Sequence, residues 1–96
     1  LAKIHGYCCY HTFDSRRSAH GFPDLVMVHE TDSSRPIIIM ELKTERGKAT
    51  PAQLFWLERL DCGEALEDYI VAGLFRPSDL DRIEALLQGR GDWRTV

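Results

Sequence analysis

The sequence predicts a single α/β domain in which helices pack against a mixed β-sheet. Runs typical of strands occur at residues 7–12, 24–29, 36–43 and 69–75. Helix signals begin at Thr50 and at Pro77. Three consecutive strands, followed by a helix and a fourth strand, favour a sheet with both antiparallel and parallel pairs.

Length, composition and charge restrict the class of protein. The 96 residues are enough for one compact domain, which we take as residues 1–96. No apolar run approaches the ~20 residues that a membrane span needs. A net charge of −3 argues against a purely electrostatic DNA binder. It does not argue against a metal-dependent nuclease, whose bound cations offset its carboxylates.

The three cysteines do not form a disulfide or zinc pattern. Cys8 and Cys9 are neighbours, and Cys62 is far from both in the sequence. Neighbouring residues on a strand face opposite sides of the sheet, and no CxxC spacing is present. We therefore expect reduced thiols in a cytosolic protein.

The strand and helix boundaries follow from local signals. Residues 1–6 are interpreted as the end of a helix that Gly6 terminates. The runs at 24–29 and 36–43 are nearly all apolar, so both faces of these strands should be covered.

Two helices complete the predicted fold. Thr50 and Gln53 form a predicted capping box, with Pro51 at the first helical position and Gly63 as the expected stop. The expected apolar faces comprise Leu54, Leu57 and Leu60 in this helix and Leu80, Ile83, Leu86 and Leu87 in the last helix, which Gly89 would end.

Three polar residues meet at one end of the predicted hairpin. Glu41 and Lys43 are two apart on a strand and therefore point to the same face. Asp24 starts the preceding strand, which places it beside Glu41. Two carboxylates suit Mg²⁺ or Mn²⁺, and the backbone carbonyl of Leu42 could add an oxygen ligand.

This group of residues could hydrolyse a phosphodiester. The metal would lower the pKa of bound water and stabilise charge on the phosphate. Lys43 could position the nucleophile and oppose developing negative charge, and Gln53 could orient the water. Alone, an acidic-x-basic triplet usually means solvated charges at a strand end, and Pro-Asp is commonly a turn. The joint pattern is more specific than either part.

That joint pattern resembles the VRR-NUC group of the PD-(D/E)xK nuclease superfamily. The matching segments are HTFDSRRSAHGFPDLV at residues 11–26, ELKTERGK at 41–48, TPAQ at 50–53 and RPSD at 76–79. The resemblance spans residues 6–88. It implies a mixed sheet in αβββαβα order and metal-dependent phosphodiester cleavage by Asp24, Glu41 and Lys43, with Gln53 in support.

The resemblance also implies partners and surroundings. The implied cofactor is Mg²⁺ or Mn²⁺, with no organic cofactor. The implied substrate is branched or four-way-junction DNA, and the implied assembly is a homodimer. The implied location is the cytoplasm of a bacterial or phage-infected cell. The family commonly carries an acidic metal ligand in its first helix. No acidic residue precedes Asp14 here, so we expect a truncated N-terminal helix and less complete metal binding.

Two loops are candidates for nucleic-acid contact. The loop with Ser15, Arg16, Arg17 and Ser18 has the side chains that typically contact phosphates. Arg46 and Lys48 follow the Glu-x-Lys triplet and either track the DNA backbone or belong to an ordinary solvated loop.

The sequence leaves several residue roles and functions open. His11 and His20 could touch metal or phosphate or be structural, and we leave both out of the catalytic set. Trp56 is a packing residue or part of a dimer surface. The alternatives to a junction endonuclease are a nonspecific or flap nuclease, a non-catalytic DNA-binding subunit of the same fold, and a protein-interaction module.

Overall fold

The computed structural model describes residues 1–12, 20–61 and 69–95. The described strands are β1 (Tyr7–His11), β2 (Leu25–His29), β3 (Ile37–Leu42) and β4 (Ile70–Phe75). The described α-helices are α1 (Pro51–Leu60) and α2 (Leu80–Leu87), and short 3₁₀ turns lie at Lys3–His5, Pro77–Asp79 and Trp93–Thr95. None of these helices is long and apolar enough to cross a membrane.

The four strands form one mixed sheet in the order β1-β2-β3-β4. β1 pairs with β2 and β2 with β3 in antiparallel hairpins, and β3 pairs with β4 in parallel. Helix α1 provides the crossover that the parallel pair requires. The predicted α/β class with a mixed sheet is therefore confirmed.

The main core lies between the sheet and α2. Side chains alternate along β3, so Ile38 and Met40 point to this core while Ile39 and Glu41 point to the opposite face. The buried members of the core are Tyr7, Met27, Ile38, Met40, Val71, Phe75, Ala85, Leu86, Leu87 and Trp93. On the other face α1 packs against β4 and buries Leu57.

The N-terminal segment and several apolar residues differ from expectation. Residues Lys3–His5 form a 3₁₀ turn rather than the end of an α-helix, although Gly6 ends it in the left-handed region at φ 86°. Leu80 is 56% exposed and so does not belong to the buried stripe, unlike Leu86 and Leu87.

The covering of the sheet is also less complete than the apolar runs suggested. Val28 on β2 is 45% exposed, because α1 packs against β4 and leaves the outer strands of that face open. Leu54 is 45% exposed, and of the predicted α1 stripe only Leu57 is buried. Cys8 and Cys9 are exposed thiols, and Cys62 and Gly63 lie outside the described residues.

Candidate active site

The β2–β3 hairpin brings Asp24 and Glu41 into direct contact. Leu25 pairs with Met40, so Asp24 lies opposite Glu41 at the end of the hairpin. The backbone N–H of Asp24 donates to Oε2 of Glu41 at 3.1 Å. In return, the backbone N–H of Leu42 donates to Oδ2 of Asp24 at 3.0 Å. Each carboxylate is thus tied to the strand that carries the other.

The neighbouring strand fixes the backbone around Asp24. The Thr12 hydroxyl donates to the carbonyl of Pro23 at 2.9 Å, and the Thr12 N–H donates to the carbonyl of Asp24 at 3.0 Å. Pro23 is itself buried. Because Asp24 lies just outside β2, these two bonds position it where the regular strand pairing stops.

Helix α1 holds the segment that leads into Pro23. The indole N–H of Trp56 donates to the carbonyl of His20 at 3.0 Å, and the Phe22 ring meets the Trp56 ring edge-on. Gly21 has φ 81°, and a Cβ there would lie 2.6 Å from the Ala52 carbonyl carbon. Only glycine therefore lets this segment approach α1 so closely.

Glu41 is a buried acid in an unusual electrostatic position. It is 2% exposed. Burial is the main cause that raises the pKa of Glu41 to about 7, and the hydrogen bond with the Asp24 side chain and the Asp24 charge raise it further. The Asp24 N–H and Lys43 act in the opposite direction. Near neutral pH, a proton or a bound cation in addition to Lys43 would therefore stabilise this carboxyl group.

Lys43 supplies a nearby positive charge on the same face. Its Nζ lies 3.9 Å from Oε1 of Glu41, which is an ion-pair distance rather than a hydrogen bond. The backbone N–H of Lys43 donates to the carbonyl of Phe75 at 3.0 Å. The end of β4 therefore anchors the lysine backbone, and the amine remains available for a second partner.

Gln53 makes the predicted capping box. Its N–H donates to the Thr50 hydroxyl at 3.2 Å, and its side-chain oxygen accepts from the Thr50 N–H at 2.9 Å. The cap uses one lone pair of the side-chain oxygen, so the second lone pair and the amide nitrogen can still contact water.

The donor set fits a hard divalent cation that keeps several waters. The described residues contain no group of three or more His, Cys, Asp or Glu side chains arranged around one point. Asp24 and Glu41 nonetheless provide two adjacent carboxylates, one of them buried without a full countercharge. Mg²⁺ is commonly held by one or two carboxylates and completes its shell with water and substrate oxygens.

The loop after Lys43 is held by the corner between β4 and α2, a contact that sequence reasoning did not identify. Both Glu45 carboxylate oxygens accept from Ser78, and the Arg76 guanidinium donates to the carbonyls of Glu45 and Gly47. The RPSD segment at residues 76–79 was the one sequence signal for this corner. It could not predict the contact with Glu45, because long-range polar contacts of this kind follow no sequence periodicity.

The remaining candidates are placed as follows. Arg46 and Lys48 are exposed on this loop. His20 is exposed, and His11 ends β1. Ser15, Arg16, Arg17 and Ser18 lie outside the described residues, so their predicted phosphate contacts stay predictions.

Comparison with known proteins identifies the family. The family model described as VRR-NUC domain matches residues 2–67. The comparisons with curated proteins and with solved structures gave no match. The matched range is more than half of the chain and includes Asp24, Glu41, Lys43 and Gln53, which agrees with the resemblance seen in the sequence. The chain therefore belongs to the VRR-NUC domain family, a family of nuclease domains.

Proposed function

We propose that this chain cleaves DNA as a Mg²⁺- or Mn²⁺-dependent endonuclease. Family membership gives it a nuclease-type, DNA-processing function. The observation that carries the finer proposal is the contact of Asp24 with Glu41, with the Lys43 amine 3.9 Å away. A buried acid in contact with a second, half-buried acid and close to a lysine suits a cation and a phosphate better than it suits a purely structural role.

Each residue has a distinct part in this proposal. Asp24, Glu41 and the Leu42 carbonyl would hold the cation, which when bound supplies Lewis acidity and lowers the pKa of water. Lys43 orients the attacking water and stabilises negative charge on the phosphate in the transition state. Gln53 supports the orientation of that water from the first turn of α1. Arg46 and Lys48, both exposed on the loop after Lys43, contact the DNA backbone.

Branched DNA is the proposed substrate and a homodimer the proposed assembly. A four-way junction offers paired strands, and two-fold pairing of one-site domains supplies two sites. Phe55 and Leu54 on α1 are 50% and 45% exposed and form the candidate dimer contact. Trp56 is a weaker candidate for the dimer contact than Phe55 or Leu54. Its ring already packs against Phe22, and its N–H already donates to the His20 carbonyl.

Light scattering at micromolar concentration tests the assembly. We expect twice the 11.0 kDa chain mass, and a return to the single-chain mass for Phe55→Glu. Glu84→Lys makes a similar charge change at an exposed position on α2, away from the proposed contact, and serves as the control that should leave the dimer intact. A wild-type monomer at every concentration would refute the assembly and leave the metal site unaffected.

One cleavage experiment tests the activity. The purified chain is incubated with linear, flap and four-way-junction DNA, with and without Mn²⁺. We expect Mn²⁺-dependent cleavage that favours the junction and disappears in Asp24→Asn, whose side-chain oxygen can still accept from Leu42 and so preserve the hairpin. Asp81→Asn, an exposed change on α2, should cleave normally.

The outcomes separate the candidate functions. Equal cleavage of all three DNAs would indicate a nonspecific nuclease. DNA binding without cleavage, even with Mn²⁺, would indicate a non-catalytic DNA-binding subunit. Cleavage that persists in Asp24→Asn would refute the assignment of the site itself.

A further inference from the structure

The loop at residues 44–48 combines exposed basic side chains with one acid whose two carboxylate oxygens both accept hydrogen bonds. Arg46 and Lys48 are exposed, and Lys43 directly precedes the loop. Glu45 lies within this basic stretch, where a free carboxylate would repel a DNA phosphate. Its carboxylate instead accepts hydrogen bonds from Ser78, from the N–H at 2.6 Å and from the hydroxyl at 2.9 Å.

A second set of bonds holds the same loop by its backbone. Arg76 Nε donates to the Glu45 carbonyl at 3.2 Å, and Arg76 Nη2 donates to the Gly47 carbonyl at 2.6 Å. Arg76 is in turn fixed, because its N–H donates to Oδ2 of Asp79 at 2.8 Å. The loop between β3 and α1 is therefore attached at both its side chain and its backbone to a segment distant in sequence.

We propose that Glu45 is a positioning residue that orders the 44–48 loop before DNA binds. Arg46 and Lys48 can then contact the DNA backbone from a loop that is already ordered. The proposal rests on the DNA contact proposed above for these two residues. Preordering matters because each long side chain or loop segment that becomes fixed only on binding reduces affinity. Glu45 thus strengthens binding of a polyanion although it carries a negative charge.

This role and simple electrostatics predict opposite results for the same substitution. If Glu45 acts only as a charge beside DNA, its removal should strengthen binding. If Glu45 orders the loop, its removal should weaken binding while the number of phosphate contacts stays the same. The salt dependence of binding reports that number, since each lost contact lowers the slope by about one.

Fluorescence anisotropy with labelled four-way-junction DNA, across a salt series in EDTA, tests the proposal. We expect Glu45→Ala to weaken binding about three- to tenfold with an unchanged salt slope. Ser78→Ala keeps the Glu45 charge and should weaken binding less. Arg46→Ala should weaken binding and reduce the slope by about one. Glu30→Ala, an exposed acid at the other end of β2, is the charge-matched control and should not weaken binding.

Single-turnover cleavage with Mn²⁺ adds a readout that general destabilisation would not give. Because Phe75 anchors Lys43 separately, Glu45→Ala should raise the protein concentration that gives half the maximal cleavage rate and leave the maximal rate nearly unchanged. Glu45→Gln keeps one acceptor oxygen and should recover part of the affinity. Thermal unfolding of each variant defines the temperature at which all are folded, so that binding is compared between folded proteins.

The results distinguish this inference from the function on which it rests. Equal or tighter binding by Glu45→Ala, together with weaker binding by Arg46→Ala, would overturn the positioning role and leave the DNA contact standing. Unchanged binding by both Arg46→Ala and Lys48→Ala would overturn the DNA contact of the loop, and the inference with it.

Discussion

Replacing Glu41 by glutamine should stabilise the metal-free protein while it abolishes metal binding. The glutamine is close in shape to the protonated acid, and its side-chain oxygen can still accept from the Asp24 N–H, as Glu41 does at 3.1 Å. In the wild type, the pKa of Glu41 is raised from 4.5 to about 7, first by burial. At about 1.36 kcal/mol per tenfold change in proton affinity, the ionised form costs on the order of 3 kcal/mol in the folded state.

The sign of the pH dependence follows from proton linkage. Because the folded pKa lies above the unfolded one, the folded state binds more protons between about pH 4.5 and 7. The contribution of Glu41 to stability is therefore fully present below pH 4.5 and is lost as the pH rises through 7. Glu41→Gln should exceed the wild type by on the order of 3 kcal/mol at pH 8 and by less than about 1 kcal/mol at pH 5.

Urea unfolding in EDTA at the two pH values measures this difference, provided that the m-value stays constant. Glu30→Gln, a change of an exposed acid, should show no such pH dependence. Added Mn²⁺ should stabilise the wild type, more strongly at pH 8 than at pH 6 because the metal needs the ionised carboxylate, and should leave Glu41→Gln unchanged. Equal stability of wild type and Glu41→Gln at pH 8 would refute the burial argument.

Three further changes test other parts of the site. Gly21→Ala should destabilise the protein by about 1–3 kcal/mol in urea unfolding, because it combines a positive φ with a 2.6 Å contact to α1. Gly91→Ala, which meets nothing within 4 Å, is its control, and equal stability of the two variants would contradict the close approach. Trp56→Phe should cost about 1 kcal/mol of stability through the lost indole hydrogen bond, measured in the same way. Lys43→Ala should lower single-turnover cleavage on the order of 10²-fold with little change in DNA affinity, and the reverse pattern would reduce Lys43 to a phosphate contact.

The sequence was most informative where a regular period governs the structure. The period of two along β3, together with one hairpin, was sufficient to place Asp24 beside Glu41. The capping box of Thr50 and Gln53 also formed as its local spacing predicted.

Burial and long-range polar contacts were harder to predict. Leu80 shares the α2 stripe, yet it is exposed because a stripe buries a residue only where another element faces it. Val28 is exposed for the same reason. The bonds from Arg76 and Ser78 to the loop of Glu45 join distant segments that no local spacing relates.

The order of the strands has a consequence for the folding pathway. Asp24 and Glu41 meet within a local hairpin, whereas the parallel pairing of β3 with β4 joins residues that α1 separates in the chain. Local contacts close before distant ones, so the two carboxylates come together while water still surrounds them. Glu41 then loses its water late, when α1 and β4 dock. Glu41→Gln should accordingly slow unfolding and leave the refolding rate nearly unchanged, and stopped-flow kinetics in EDTA at pH 8 would separate the two rates.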